Sequence, residues 1–302
     1  MAVLDFPALR QQARQTIHPS SPTPMKLILV RHLWGVDHTH GLLDHLPRWR
    51  DAGYEAVEAS LLYSPNPEAL ANFLKVSGWP WIAQVFSRKA QPGGTVREHL
   101  DSLQDQLEEC LPHQPLFFNA HSGSDTWSVA EAEDFYGAAL ELEQRLGVTI
   151  AHETHRQRYF ANPWATRTIL ERFPQLKLTC DFSHWVCVAE RLLEDCGEII
   201  QLAAQHCHHL HARVGHEEGP QVSDPRAPEW ARHLAAHEAW WDLIWTSQRQ
   251  RGYATTTLAP EFGPAPYLPL LPYTRAPVAD LADICDWVAQ RQAARFAGAD
   301  RR

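Results

Sequence analysis

A long apolar run and a cluster of like charges are both missing from these 302 residues. No stretch approaches the roughly 18–20 apolar residues of a membrane-spanning helix, so no span is predicted. No block of five or more like charges occurs and the formal net charge is −9. That argues against nucleic acid as a partner, whose binders cluster Lys and Arg. Cysteine is sparse and unpatterned: Cys110, Cys180, Cys187, Cys196, Cys207 and Cys285 form no CxxC pair and no small-scaffold framework. Free thiols in a reducing, cytoplasmic setting are therefore expected. Met1–Pro24 has no apolar h-region and its arginines are spread through it, so it does not read as a secretory leader. No GxGxxG loop follows the first strand, which counts against an open dinucleotide-binding sheet.

What is present begins with an apolar fraction of 44%, ample for a large core, and with 18 histidines and 12 tryptophans. The histidines hint at metal or acid–base chemistry, the tryptophans at flat ligand faces. Apolar, β-branched runs predict strands at Lys26–Arg31, Ala56–Ala59, Trp79–Phe86, Pro115–Ala120, Val148–Glu153, Leu176–Asp181, His208–Arg213 and Ala254–Glu261. Between them, helical periodicity covers Leu42–Gly53, Pro67–Ser77, Val96–Cys110, Val129–Leu146, Trp164–Phe173, Val188–Ala204 and Glu229–Arg251, with Val278–Phe296 closing the chain.

Strands separated by helices require parallel crossovers, and eight such units are the number that closes a (β/α)8 TIM barrel. The expected organisation is an N-terminal extension and linker over 1–24, a single α/β barrel domain over 25–296 and a short tail over 297–302. Such a barrel keeps its chemistry at the C-terminal ends of its strands. Four consecutive strands end in metal-type ligands: Glu153, Asp181, His211 and Glu261. Carboxylate and imidazole together suit one divalent ion such as Mn, Mg, Co or Zn. Period-two alternation places Ala151 and Thr149 on the face of Glu153, Thr179 on that of Asp181, and Ala259 and Thr257 on that of Glu261. These small residues leave room at the mouth. His209, which shares the face of His211, breaks the pattern.

On these residues the chain resembles the xylose-isomerase-like barrel superfamily of sugar and sugar-phosphate isomerases and epimerases, which is related to the type IV apurinic endonucleases. The likeness spans about residues 25–296 and rests on GYEAVEA (Gly53–Ala59), the HET around Glu153, CDFSHW (Cys180–Trp185), HLHARVGH (His209–His216) and PEFGP (Pro260–Pro264). It implies that Glu153, Asp181, His211 and Glu261 bind one divalent metal and that the two glutamates also do acid–base work. It implies further that His184, three residues after Asp181, touches substrate. Arg213 sits only two residues beyond His211, closer than the substrate arginine of the epimerases, which leaves its contact with substrate open. NAHSGS (Asn119–Ser124) and His216 resemble part of the endonucleases' metal-rich rim, without the full histidine set.

A metal that chelates a carbonyl and the neighbouring hydroxyl stabilises an enediolate as the α-proton leaves. A carboxylate on either side of a bound sugar can take that proton and return it. Epimerisation, isomerisation and, by loss of a β-substituent, a lyase or dehydratase reaction all remain open. A phosphodiester hydrolase acting on abasic DNA is the weaker alternative. The expected substrate is a small sugar or polyol, unphosphorylated, since no basic nest or glycine-rich phosphate loop follows strands seven and eight. His121 reads as a substrate contact or a capping residue. His155 and Arg158 read as contacts to an anionic substrate or as solvated loop residues. Trp34, Trp127 and Trp185 either stack on a sugar or pack. Trp240, Trp241 and Trp245 share one helix, which packs on the barrel or on a partner subunit in a homodimer or homotetramer.

Overall fold

The computed structural model describes residues 25–39, 41–88 and 93–299. The expected extension over 1–24, and the end of the tail from 300 on, lie outside the described residues. Eight parallel strands close into a barrel in chain order: β1 (Lys26–His32), β2 (Tyr54–Ala59), β3 (Trp81–Phe86), β4 (Phe117–His121), β5 (Ile150–Glu153), β6 (Lys177–Cys180), β7 (Cys207–His211) and β8 (Thr255–Ala259). The ring closes where β1 pairs with β8, Leu27 opposite Thr256 and Leu29 opposite Leu258.

Among the described residues nine helices surround it: α1 (Leu46–Asp51), α2 (Pro67–Ser77), α3 (Val96–Cys110), α4 (Val129–Leu146), α5 (Pro163–Arg172), α6 (Phe182–Ala189), α7 (Gly197–His206), α8 (Ala231–Gln250) and α9 (Leu281–Ala299). None is long and apolar enough to cross a membrane. Their starts are written in the sequence. Thr95 and Ser128 form reciprocal capping boxes with Glu98 and Glu131, and Asn66 and Asn162 cap helices that begin with proline. Gly147 ends α4 in the left-handed conformation that a Cβ would penalise.

Two apolar cores result. The larger lies between the strands' outer faces and the helices, with Phe118, Tyr136, Phe160, Trp185, Trp241 and Trp245 fully enclosed. The smaller fills the barrel axis with Val30, Ala56, Ile82, Phe117, Ala151 and Ala259. These are the alternate residues of their strands, so the next inward positions towards the C-terminal mouth are His32, Glu58, Gln84, Asn119, Glu153 and Glu261. The apolar plug thus supports a polar floor.

Two elements differ from expectation. The helix expected over Val188–Ala204 is two helices, because Asp181 caps α6 directly after β6 and the chain turns through positive φ at Glu190 and Leu193 before α7. The stretch from Leu42 opens as a 3-10 turn and becomes α-helical only at Leu46, beside Pro47. Trp240, Trp241 and Trp245 are all buried within the chain. That helix face is used up on the barrel, so it offers no evidence for a homo-oligomer.

Candidate active site

The structure brings the four expected ligands together. Glu153 closes β5, Asp181 follows β6, His211 closes β7 and Glu261 lies just beyond β8. All four are buried, and one ligand-type atom from each lies within 4.8 Å of the others. His211 Nδ1 is 2.8 Å from Glu261 Oε2 and 3.7 Å from Glu153 Oε2. Neither His211 Nδ1 nor Glu261 Oε2 has an aligned hydrogen-bond partner, and buried Glu153 Oε1 has none either. Buried polar atoms are normally satisfied. Three buried atoms without an aligned partner, in a set of three carboxylates and one imidazole whose ligand-type atoms lie within 4.8 Å, fit a divalent cation. Asp181 is more occupied: Oδ1 accepts from Ser183 N and Oγ, and Oδ2 from Arg213 Nη2.

The electrostatics point the same way. Burial opposes ionisation of Glu153, but His121 and His211 outweigh it and hold the carboxyl well below the usual range. Glu261, opposed by burial but favoured by His211 and Arg213, sits at about 2. Asp181 is pushed up to about 6 by burial, against the pull of Arg213. Burial also opposes a charge on His211, yet Glu261, Glu58 and Glu153 together raise it well above the ordinary imidazole value. The cluster therefore draws positive charge to its centre.

The floor beneath adds Glu58, to which sequence reasoning gave no role. Glu58, at the end of β2, accepts from His209 Nε2 at 3.0 Å, His211 Nε2 at 2.9 Å and Asn119 Nδ2 at 2.8 Å. Asn119 also donates to Glu153 Oε2 at 2.8 Å, linking the two glutamates. His209, which broke the small-residue pattern, faces the barrel interior and is held between Thr257 Oγ1 and Glu58. His121 Nε2 lies 2.7 Å from Glu153 Oε2, with Gln84 bridging it to His32. Glu58 lies two residues beyond inward-facing Ala56, and that alternation was the signal available for it.

Above this floor opens a cavity of about 670 Å³, lined among others by Trp34, His121, His155, Arg158, Arg213, Glu261 and Tyr267. Trp34 stands edge-on to Tyr267, and its indole fits because Gly263 has no Cβ; one would lie 2.2 Å from the ring. His155 is sandwiched between His121 and His184, with ring centroids 4.5 and 4.0 Å away. The other expected contacts lie elsewhere. His184 is fully buried, outside the lining, with Nε2 on Arg213 Nη2. Trp185 is buried against Phe182, its indole N–H bound to Phe160 O, because α6 turns that face towards the outer core. Trp127 is likewise buried, donating to Gly94 O. His216 sits against Trp230 in a loop turn with Gly219, outside the cavity lining. Arg213 lines the cavity, yet its guanidinium is matched by Asp181 and lies 3.3 Å from Glu261.

No protein-family model matches the chain, and no curated protein matches it. Solved structures do. The probable 3-DHS dehydratase involved in petrobactin synthesis from Bacillus anthracis superposes with a TM-score of 0.56 at 14% identity, over 88% of this chain and 98% of that one. D-psicose 3-epimerase from Clostridium cellulolyticum H10, solved with D-tagatose, gives 0.53 at 12% identity, over 90% and 98%. A xylose-isomerase-like TIM barrel protein from Mycobacterium smegmatis in complex with magnesium gives 0.56 at 9% identity, over 85% and 88%. At these identities the likeness is one of fold: the chain has the barrel architecture that these proteins share.

Proposed function

We propose that the protein is a divalent-metal-dependent isomerase or epimerase of a small keto-sugar or related polyol. The observation that carries the reading is the convergence of Glu153, Asp181, His211 and Glu261 within 4.8 Å, with a carboxylate oxygen of Glu153 unpartnered. These four residues would hold the ion. When bound, a divalent cation there supplies Lewis acidity that makes the hydrogen beside a carbonyl easier to remove. The glutamates do the proton work. Glu153 and Glu261 are both ionised, so either can take a proton from a carbon above the floor, and the other, once it has taken up a proton from solvent or a substrate hydroxyl, can return one. Return to the opposite face of the same carbon inverts it; return to the neighbouring carbon isomerises the sugar. Similar folds include an epimerase solved with a ketohexose and a protein solved with magnesium, in keeping with both parts of the proposal.

A dehydratase is the second reading, and His155 favours it. Its ring, half-buried, lines the cavity two residues after Glu153 and is held near 3, hence neutral. Once Glu153 has taken the α-proton, an imidazole beside it can accept that proton and hand it to the departing hydroxyl, which leaves as water. A probable dehydratase is among the proteins of similar fold.

Glu153→Gln and Glu261→Gln variants test the proposal. In D2O with Mn2+, the wild type should exchange the α-hydrogen of a bound keto-sugar, followed by NMR, and each variant should lose roughly 100-fold or more of that rate. Full exchange in both variants would refute the assignment.

A further inference from the structure

We infer that the cavity has a second recognition point, a carboxylate subsite built on Arg158 on the β3 side of the barrel mouth. The inference rests on the sugar-site reading above and narrows the substrate to a sugar acid or hydroxy acid whose carboxylate lies away from the reacting carbons.

Arg158 is only 5% exposed, yet it lines the cavity. Its guanidinium makes one hydrogen bond among the described residues, from Nη1 to Ser87 O at 2.7 Å, and no carboxylate among them is in ion-pair contact with it, Glu153 and Asp125 acting on it only from a distance. None of its nitrogens is sealed in the protein without a partner, so its remaining donors open on the cavity. Arg213, the other guanidinium at this cavity, shows the contrast: Asp181 and Glu261 match its charge. Burial pulls Arg158 down to about 10, whereas at Arg213 the carboxylates overcome burial and raise it. A desolvated guanidinium with no carboxylate in contact is costly unless an anion arrives to meet it.

The planar fork of a guanidinium matches a carboxylate with two parallel hydrogen bonds. One unmatched positive charge suits a carboxylate better than a phosphate dianion. The position is set by the fold. Arg158 comes from the segment after β5, but its head is anchored to Ser87 just after β3, whereas Glu261 follows β8. Strands β1 and β2 separate β8 from β3 around the ring. The anion and Glu261 therefore stand on different sides of the mouth.

The test uses D-fructose, D-fructuronate and D-fructose 6-phosphate, which differ only at C6, titrated calorimetrically into Mn2+-loaded and metal-free protein. Wild type should bind the uronate roughly tenfold or more tighter than fructose, and Arg158→Gln should shrink that preference to about twofold. Arg158→Lys, which keeps the charge in case the Gln variant does not fold, should retain part of it. Equal binding of uronate and fructose by the wild type, no binding of either, or a preference that survives in Arg158→Gln would overturn the subsite. Tighter binding of the phosphate than of the uronate would overturn the carboxylate assignment. A uronate preference with the affinity for both sugars unchanged when Mn2+ is removed would uphold the subsite while removing the metal-chelate reading. Mn2+-dependent binding of uronate and fructose alike would do the reverse.

Discussion

Glu58 and His211 are joined across the barrel floor: Glu58 Oε2 accepts from His211 Nε2 at 2.9 Å, while the opposite ring nitrogen faces Glu261 at 2.8 Å. The glutamate fixes which nitrogen carries a proton towards the floor and so leaves Nδ1 aimed at the three carboxylates of the cluster. Carboxylates that orient a ligating histidine in this way commonly tune metal affinity.

Replacing Glu58 by Gln should weaken divalent-metal affinity about 10- to 100-fold, measured by calorimetric titration with Mn2+. The Gln can still accept from one imidazole, so the fold should persist by circular dichroism. An unchanged dissociation constant would mean that Glu58 only packs the floor.

At Gly263 a methyl group would lie 2.2 Å from the Trp34 indole. Gly263→Ala should therefore push Trp34 out of the cavity wall and cost about 1–3 kcal/mol of stability by overpacking. A crystal structure of the variant with Trp34 in place would contradict this.

Acid should destabilise the protein earlier than carboxylate protonation alone would. Burial depresses His152 to about 3 and His237 to about 4, both neutral in the fold. Unfolded, each regains a value near 6.5 and takes up a proton. Their contribution is thus fully present above about pH 6.5 and is lost as pH falls towards 4, at on the order of 1.4 kcal/mol per pH unit for each group. Urea unfolding at pH 7.5 and pH 5.5 should show a clear drop in midpoint; equal midpoints would count against it.

All six cysteines are unpaired, and only Cys187 is partly exposed, the other five being buried. Burial also pushes the Cys110 thiol up to about 12. Ellman's reagent should find one slowly reacting thiol in the native protein and six after denaturation. Several fast native thiols would mean that the packing around β6, β7 and α9 opens readily.

The barrel was legible because its strands are apolar runs whose last inward residue turns polar. Glu153, Asp181, His211 and Glu261 could be named from that pattern alone. Glu58, Asn119 and His209 were not singled out as a unit, because their value comes from hydrogen bonds between β2, β4 and β7 that no local pattern encodes. Arg158 was open in sequence for a related reason. A loop arginine reads the same whether it is solvated or drawn inward onto Ser87 O. Trp185 follows a strand end and so invited a stacking role, but the early start of α6 at Phe182 rotates it into the outer core. The break between α6 and α7 was hidden because apolar spacing continues across residues whose backbone turns left-handed.

The central claim is that Glu153, Asp181, His211 and Glu261 form one divalent-metal site. Its most direct test is metal stoichiometry by plasma mass spectrometry, after loading with Mn2+ and removal of excess, for the wild type and for His211→Ala. The account predicts one ion per chain in the wild type and almost none in the variant. No retained ion in the wild type, an undiminished ion in His211→Ala, or three zinc ions per chain in protein as purified would contradict it.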